Sequence, residues 1–441
     1  MSDTAAESPL KRRHILAAVM GNALEFYDFV TYAFFSIQIG HAFFPRSTAY
    51  GGLMLSLALF MAGFATRPLG ALILGAFADR RGRRPAMMIS YVMMGAAVVM
   101  MALIPPWSAI GVAAPILAVA ARMAQGFSLG GEVGSNTAFL SEACDPAQRG
   151  LVISWQGASQ VIAGAAGSLV GVALAATLTA ATFDAWGWRI AFLLGAATLP
   201  FGIWLRRGLP ETLHAEDRGV AGAVATAGAE TRMAAASRHR RLLVLGVLIM
   251  ATGSIATYIF NYIATYAQAT LHMPAASGLL SELVLLAVSG GVLLFGGWLS
   301  DRIGRRPVMV WGNLGFLLLI GPMFAWLSAA RSELVLVIAP TILAVFANVT
   351  GGPIYATLCE SLPKSIRGAG FALVYSVGVA IAGGTTQFIV TWLLHVTGDP
   401  MAPAWYMIGA AAVAQVCFIM LKESAPIRLR PAAPSPALAV A

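Results

Sequence analysis

The sequence predicts an all-α integral membrane protein made of twelve helices in two pseudo-symmetric six-helix bundles. The composition, the spacing of the apolar segments and a charged motif that occurs twice support this fold class. Of the 441 residues, 59% are hydrophobic and only 11% are charged, whereas about a quarter of the residues of a soluble domain are charged. Many apolar segments are around 20 residues long, which is enough for a helix to cross the bilayer core. They lack the alternation of polar and apolar residues that membrane β-strands show.

The apolar segments divide the chain into twelve predicted spans. A charged, Ala- and Gly-rich stretch separates the sixth span from the seventh, and we interpret it as a linker. The predicted domains are an N-terminal six-helix bundle (1–206), a cytoplasmic linker (207–241), a C-terminal six-helix bundle (242–422) and a short cytoplasmic tail (423–441). The predicted spans are 15–40, 52–76, 86–105, 109–141, 150–180, 189–206, 242–270, 277–299, 308–329, 333–359, 368–395 and 403–422.

The basic residues predict the orientation of the chain. When the N-terminus is placed in the cytoplasm and the spans alternate, nearly all of the 28 Lys and Arg residues lie in cytoplasmic segments. This bias predicts a multi-pass protein of the cell inner membrane with both termini in the cytoplasm. The net charge of +9 therefore reflects topology, and we expect no nucleic-acid partner. The exceptions are Arg46, Arg67, Arg122, Arg189 and Arg331.

A charged hairpin occurs once in each half. The sequence Gly-x-x-x-Asp-Arg-x-Gly-Arg-Arg-Pro is found at residues 75–85 and again at 297–307, about half a chain later. A second repeat, Glu followed seven residues later by Arg-Gly, occurs at the ends of the fourth and tenth predicted spans. Parallel repeats of this kind are typical of transporters that arose by duplication.

Both repeats place acids beside arginines at the predicted cytoplasmic ends of helices. Ion pairs and helix caps at such positions hold neighbouring helices together. We expect them to latch the inner face in one state of a transport cycle and to separate in another; the alternative is that they only fix topology. The predicted gating residues are Asp79, Arg83, Glu142, Arg149, Asp301, Arg305, Glu360 and Arg367.

Several motifs resemble those of the major facilitator superfamily, and within it the metabolite:proton symporter family. They are the repeated hairpin, the sequence Arg122-Met-Ala-Gln125-Gly126 in the fourth span, and Gly21-Asn22-Ala-Leu-Glu25-Phe-Tyr27-Asp28-Phe29 in the first. The resemblance runs from about residue 14 to residue 422. It implies the twelve-helix facilitator fold and transport by alternating access between the two bundles.

Within that family the resemblance is strongest to citrate and tricarballylate proton symporters. It lies in Gly126-Phe127-Ser128 leading to Glu132, in Ser154-Trp155-Gln156 with Ser159-Gln160, and in Thr397-Gly398-Asp399. The chain departs from their pattern at Phe26 and at Val161, where those symporters usually have Gln. A related but different carboxylate is therefore an alternative cargo.

Two acids in the first span predict where protons bind. Glu25 and Asp28 are three residues apart, so they lie on neighbouring parts of one helix face near the middle of the membrane. An ionised acid there is costly unless it is paired or solvated, so such residues usually face a cavity. We expect Asp28, or else Glu25, to exchange a contact with Arg122 for a proton during transport, a role that the resemblance also implies. The alternative is a permanent structural ion pair.

Polar and cationic side chains within the spans are the predicted substrate contacts. An unpaired amide in the membrane is costly, so the Asn and Gln residues bind either a substrate or a neighbouring helix. Structural pairing is likewise the alternative for Arg67. The predicted substrate-binding residues are Arg122, Asn22, Tyr32, Arg67, Gln125, Gln156, Ser159, Gln160, Asn261 and Tyr375.

The sequence predicts neither an enzyme nor a cofactor. The six histidines do not cluster, and the three cysteines have no metal-ligand spacing, so no metal site is expected. No combination of nucleophile and base is recognisable either. The apolar segments predict the lipid bilayer as a partner, and the resemblance implies a small organic anion and protons as the others.

The function predicted from these features is proton-coupled import of an organic anion by alternating access, with citrate or a related tri- or dicarboxylate as the leading cargo. One alternative is symport of another organic acid such as α-ketoglutarate. A zwitterionic osmolyte such as betaine is a second, because the tyrosines of the seventh span suit a quaternary ammonium group. A non-transporting membrane sensor is the alternative of another class. We expect the protein to be a monomer.

Overall fold

The computed structural model describes residues 12–45, 48–81, 83–142, 144–207, 240–362 and 367–429. Within these ranges the chain is helical and has no β-strand. The helices form twelve spans, as the sequence predicts, and they are numbered here in chain order. Spans 1–6 are Arg12–Phe34 with Ser36–Phe43, Ala49–Ala65 with Arg67–Arg81, Arg83–Leu103, Ala113–Glu142, Arg149–Thr177, and Ala180–Thr182 continued by Phe183–Gly187, Trp188–Ala197 and Leu199–Arg207. Spans 7–12 are Arg240–Phe260 with Ile263–Ala269, Ala275–Ile303, Arg305–Ala330, Glu333–Ser361, Arg367–Thr397 and Ala402–Met420.

Span 6 begins nine residues before its predicted start at residue 189. Thr179 caps its first turn, because its side chain accepts a hydrogen bond from the backbone N–H of Thr182 at 3.3 Å. A π-helical segment, Phe183–Gly187, then leads into Trp188–Ala197. The observed start is earlier because Gly187, the glycine between two tryptophans, continues the helix and does not interrupt it. In the structure it is helical, with φ −53° and ψ −50°.

Spans 2 and 7 are each broken near the middle. Span 2 breaks at Thr66, two residues before Pro68, since the proline ring disfavours helix at the preceding residues. The Thr66 hydroxyl donates a hydrogen bond to the Met123 carbonyl of span 4 at 2.7 Å. Span 7 breaks at Asn261 and Tyr262 without a proline. Breaks of this kind inside a membrane bundle expose backbone groups to a cavity or to a neighbouring span.

Ten helices of the described chain are long and apolar enough to cross a membrane. Spans 1 and 4 are not among these ten. Span 1 carries Glu25 and Asp28, and span 4 carries Arg122 with Gln125. The two spans of weakest apolar character are thus the two to which the sequence assigns proton coupling and anion attraction.

The two halves meet along span 5 and span 8. Their contact is close at one end, where Ser154 of span 5 fits against two glycines. A Cβ atom on Gly297 would lie 2.0 Å from the Ser154 Oγ, and one on Gly352 of span 10 would lie 2.2 Å from it. No larger residue fits there without moving the spans apart. We call this end of the bundle, which carries the second repeated hairpin, the hairpin face; it is the predicted cytoplasmic face.

Candidate functional site

A cavity of about 160 Å³ lies between the two halves. The first half contributes residues of spans 1 and 5, and the second half contributes residues of all six of its spans. Of the predicted substrate contacts, Gln160, Asn261 and Tyr375 line it. Its other polar lining includes Thr257, Tyr258, Asn313, Asn348, Thr350 and Tyr355.

Two arginines of the first half lie together in a box of aromatic rings. The Arg67 guanidinium is 4.3 Å from the ring centroids of both Phe29 and Phe64. The Arg122 guanidinium is 4.4 Å from the centroid of Phe29, and it also stacks on Tyr32 and Phe60 at 4.5 Å and 5.0 Å. Cation–π contacts of this kind stabilise a positive charge that has left water.

The aromatic box leaves donors of both arginines unused. Arg67 and Arg122 are 1% and 0% exposed, yet neither the Nε nor the Nη2 atom of either residue has a hydrogen-bond partner in the described chain. The Nη1 atom of Arg122 donates to the Gln125 Oε1 at 2.6 Å. Because an unpaired buried donor is costly, such a pair of guanidinium groups favours an anion.

The box borders the cavity. Tyr258 lines the cavity and packs edge-on against Phe64 with ring centroids 5.2 Å apart. Arg67 lies within electrostatic range of the phenols of Tyr258 and Tyr375, which both line the cavity. Tyr258 therefore lies between the cavity and the aromatic box.

The two acids of span 1 face different neighbours. Asp28 is 2% exposed and packs on span 6, where a Cβ atom on Gly195 would lie 1.8 Å from its Oδ1. That oxygen has no hydrogen-bond partner in the described chain. Phe29, the next residue, faces the arginines instead, since successive helical residues point about 100° apart. Glu25, one turn before Phe29, is on that side of the helix and is 1% exposed.

The predicted contact between Asp28 and Arg122 is not formed in this conformation. Among the described residues no ion pair joins them, and the hydrogen bond of Arg122 goes to Gln125. The exchange of this contact for a proton stays a prediction. For the contact to form, span 1 must rotate or Arg122 must change its rotamer.

The remaining predicted contacts of the first half bond to one another. Asn22 donates to the Ser159 Oγ at 2.7 Å and accepts from the Gln156 Nε2 at 3.0 Å. Asn136 of span 4 donates to the Gln156 Oε1 at 2.6 Å. The Tyr32 hydroxyl donates to the Ser56 carbonyl at 2.9 Å. In this conformation the three predicted polar residues Asn22, Gln156 and Ser159 join spans 1 and 5, and Asn136 adds span 4.

Arg305 is the centre of the contacts at the hairpin face. Although fully buried, its guanidinium donates to Asp301 at 2.7 Å and to both Glu360 oxygens at 3.1 Å and 3.3 Å. Arg149, from the first half, lies 3.8 Å from Glu360. Four of the predicted gating residues are therefore in one cluster. The side chains of the other four, Asp79, Arg83, Glu142 and Arg367, lie outside the described residues.

Asp301 also connects the halves through the backbone. Its Oδ1 accepts the N–H of Gly150 and its Oδ2 accepts the N–H of Leu151, both at 2.9 Å. These amides begin span 5, so an acid of the second half caps a helix of the first. A glycine is required at 150, since a Cβ atom there would lie 2.1 Å from the Arg305 Nη1.

The comparisons with known proteins agree with this architecture. The family described as "Sugar (and other) transporter" matches residues 14–219 and 213–432 of the chain. The chain belongs to this transporter family of the major facilitator superfamily. This confirms the predicted fold class and superfamily. Among solved structures, the proton:xylose symporter XylE bound to 6-bromo-6-deoxy-D-glucose aligns with a TM-score of 0.75 and 17% identity, over 93% of this chain and 96% of its own.

The relatives of this facilitator are transporters rather than enzymes. A citrate–proton symporter of Salmonella typhi is 36% identical over 92% of this chain and 93% of its own length. A glycine betaine/proline/ectoine/pipecolic acid transporter of Dickeya dadantii is 32% identical, over 96% of this chain and 86% of its own length. An α-ketoglutarate permease of Escherichia coli is also 32% identical, over 95% and 96%. The facilitator is thus a multi-pass membrane transporter.

Two functional candidates of this facilitator escaped the sequence analysis. Glu423, just after span 12, accepts hydrogen bonds from the backbone N–H groups of Arg305 and Arg306 at 2.9 Å and 3.1 Å. It therefore caps span 9 and belongs to the hairpin-face cluster, although its position suggested only a tail. Glu282 is buried in span 8. The signal that could have identified it is an acid five residues inside a predicted span.

Replacing Glu360 by glutamine is expected to open the hairpin face and expose Cys144. This thiol lies between spans 4 and 5 near Arg149, and burial is the main cause that raises its pKa to about 11. Glu360→Gln removes the charge that Arg149 and Arg305 share, so the thiol gains solvent and its pKa falls. Since the thiolate is the reacting form, each unit of pKa decrease raises the thiolate fraction at neutral pH about tenfold and so accelerates alkylation.

The measurement is the rate of maleimide labelling at Cys144 with Cys359 and Cys417 replaced by alanine. Glu333→Gln is the matched control, because Glu333 begins span 10 at the end opposite Glu360. We expect Cys144 in the Glu333→Gln control to be labelled at the same rate as in the protein without that substitution. An equal rate in Glu360→Gln would show that these ion pairs do not hold the face closed.

Proposed function

We propose that this facilitator imports citrate or a related di- or tricarboxylate together with protons across the bacterial inner membrane. The observation that supports this most directly is the pair of buried arginines beside the cavity, which have donors free for an anion. Two guanidinium groups match two carboxylates better than they match a neutral or zwitterionic solute. The citrate–proton symporter among its relatives supports the same cargo.

Each predicted residue then has a role in one cycle. Arg67 and Arg122 bind the anion, assisted by Gln125, and Gln160, Asn261 and Tyr375 contact it from the cavity wall. Asp28, or else Glu25, takes up the proton. The protons offset the charge of the anion, which the inside-negative membrane potential would otherwise repel. The cluster of Arg149, Asp301, Arg305 and Glu360 holds the hairpin face closed until both ligands are bound.

The same proposal places both termini in the cytoplasm and treats the protein as a monomer that has no nucleic-acid partner. The distribution of basic residues supports the orientation, because it follows the positive-inside rule. Because the hairpin and the Glu–Arg-Gly repeat occur in both halves, we include Asp79, Arg83, Glu142 and Arg367 in the proposed gate on the basis of the sequence.

The test is uptake of labelled citrate by proteoliposomes containing the purified protein. We expect accumulation when the outside is more acidic, and collapse of that accumulation when a protonophore is added. Unlabelled tricarballylate and α-ketoglutarate should compete, whereas glycine betaine should not. Citrate uptake that ignores the pH gradient, or no citrate uptake at all, would contradict the proposal.

A zwitterionic osmolyte is the second candidate, and the aromatic wall of the cavity favours it. Tyr355 and Tyr375 both line the cavity, with ring centroids 6.3 Å apart. Such rings can hold a quaternary ammonium group by cation–π contact, and a betaine transporter is among the relatives. Uptake of labelled glycine betaine that citrate does not inhibit would favour this candidate.

A further inference from the structure

Glu282 is an acid buried in the membrane part of the second half. It lies two turns inside span 8 and is 0% exposed. Neither of its carboxyl oxygens has a hydrogen-bond partner within the described chain. Its helix neighbour Ser281, by contrast, donates to the Leu336 carbonyl of span 10 at 2.5 Å. The carboxyl group of Glu282 is therefore buried without a hydrogen bond from the described residues.

The groups packed around span 8 at this level supply no positive charge. On span 7, the Tyr262 hydroxyl accepts from Thr391 at 2.7 Å and the Tyr266 hydroxyl donates to the Pro400 carbonyl at 2.9 Å. On span 10 the nearest acid along the helix, Glu333, accepts a hydrogen bond from Ser277. Span 5 contributes Ser168, which donates to the Leu279 carbonyl. Among the described residues, no charged side chain acts on Glu282.

The carboxyl group faces the break in span 7. One turn before Glu282, Gly278 approaches Ala264 so closely that a Cβ atom would lie 2.9 Å from the Ala264 Cα. Glu282 itself faces the backbone N–H of Ala264, although the two do not meet hydrogen-bond geometry. Ala264 is in the first turn of Ile263–Ala269, whose amides have no acceptor inside the helix. Tyr262 provides no side-chain cap for them.

We propose that Glu282 is a proton-binding site of the transport cycle, in addition to the acids of span 1. An ionised carboxylate that has neither an ion pair nor a formed hydrogen bond among the described residues is strongly unfavourable in a membrane bundle, so Glu282 holds a proton in this conformation. When the proton leaves the carboxyl oxygen for cavity water, the carboxylate accepts a hydrogen bond from the backbone N–H of Ala264, the group that it already faces.

The break in span 7 links the proposed proton site at Glu282 to the cavity proposed to hold the cargo. Phe260 and Asn261, which precede the second segment of span 7, line the cavity. A movement of the second segment toward an ionised Glu282 therefore moves the cavity wall. This part of the inference rests on the proposed function, because a multiply charged anion requires more than one proton to enter against an inside-negative potential.

Infrared spectroscopy tests the site without any cargo. We compare Asp28→Asn with Asp28→Asn/Glu282→Gln, so that Asp28 does not contribute to the C=O band of protonated carboxyl groups. We expect the second variant to lose part of that band at neutral pH. Glu333→Gln on the same background should leave the band unchanged. A band that Glu282→Gln does not reduce would overturn the proposal.

Thermal unfolding separates a proton site from a structural one. Because Glu282 forms no ion pair and no full hydrogen bond with the described residues, Glu282→Met is expected to unfold at the same temperature as the parent protein or above it. A clearly lower unfolding temperature for Glu282→Met would show that the carboxyl group is a structural partner, and would overturn the proposal.

The third measurement is citrate accumulation by proteoliposomes at a pH gradient of one unit without a voltage. Loss of one coupled proton lowers the accumulation ratio about tenfold in Glu282→Gln. An unchanged ratio would overturn the coupling role. If the unmodified protein takes up no citrate, the proposed cargo is wrong, and the infrared result decides the proton site independently.

Discussion

Asp28→Asn is expected to reduce strongly the accumulation of citrate driven by a pH gradient and to leave exchange of citrate for citrate intact. Asparagine keeps the shape of the side chain against Gly195 but binds no proton. Accumulation at a gradient of one pH unit should fall by at least about tenfold, the contribution of one coupled proton. Exchange needs no net proton movement, so it tests whether the variant still folds and still binds.

The measurement is uptake and counterflow of labelled citrate in the same proteoliposomes. Asp184→Asn is the matched control, because Asp184 is an exposed acid in span 6 that pairs with His41 at 3.0 Å. It should accumulate citrate as the parent protein does. Undiminished pH-driven accumulation in Asp28→Asn would exclude this residue as the carrier of the coupled proton and leave Glu25 as the candidate of span 1.

Arg122→Gln is expected to weaken citrate binding by roughly 10- to 100-fold, as loss of a charge-assisted hydrogen bond of about 1.5–3 kcal/mol implies. The same change removes a buried charge that has no acidic partner in the described chain, so the empty protein should become more stable. Arg122→Lys should bind almost as weakly, because an ammonium group does not reproduce the planar fork of guanidinium. Binding is measured by calorimetry and stability by thermal unfolding.

Arg189→Gln is the control, and it should change stability and citrate affinity in the opposite pattern to Arg122→Gln. Arg189 is also buried, but its Nη1 donates to the carbonyls of Ala102 and Ile104 at 2.8 Å and 2.7 Å. Its loss should therefore destabilise the protein and leave the citrate affinity unchanged. If Arg122→Gln instead behaved like this control, destabilised with normal affinity, Arg122 would be a structural arginine.

The sequence was sufficient for the fold because length and apolar character determine which segments cross a membrane. The repeated motif also indicated that Arg149, Asp301, Arg305 and Glu360 lie at equivalent ends of helices. Only the structure shows that these four meet in one cluster across the two halves. The direction of each side chain was not predictable in this way. Asp28 and Phe29 are neighbours in sequence, yet one packs on span 6 and the other on the arginines.

For the Asn and Gln residues too, the sequence predicted that they are buried but not which way their side chains point. A buried Asn or Gln must find a partner, but the sequence does not say whether that partner is a solute or another helix. Asn22, Gln156 and Ser159 satisfy one another, whereas Gln160, one residue after Ser159, lines the cavity. Only the rotation of span 5 about its axis separates the two outcomes, and that rotation depends on packing against spans 1 and 8.

The cap that Glu423 places on span 9 has a practical consequence for how the protein is produced. A fluorescent or affinity fusion joined directly after Leu421 would remove Glu423, and also Ser424, which donates to Glu360 at 2.7 Å. Such a fusion would impair the closed state while leaving every membrane helix intact, and its defect would be misattributed to the cargo site. A fusion joined after Leu429 preserves both contacts, as well as the bonds of Arg428 to the Ile303 carbonyl.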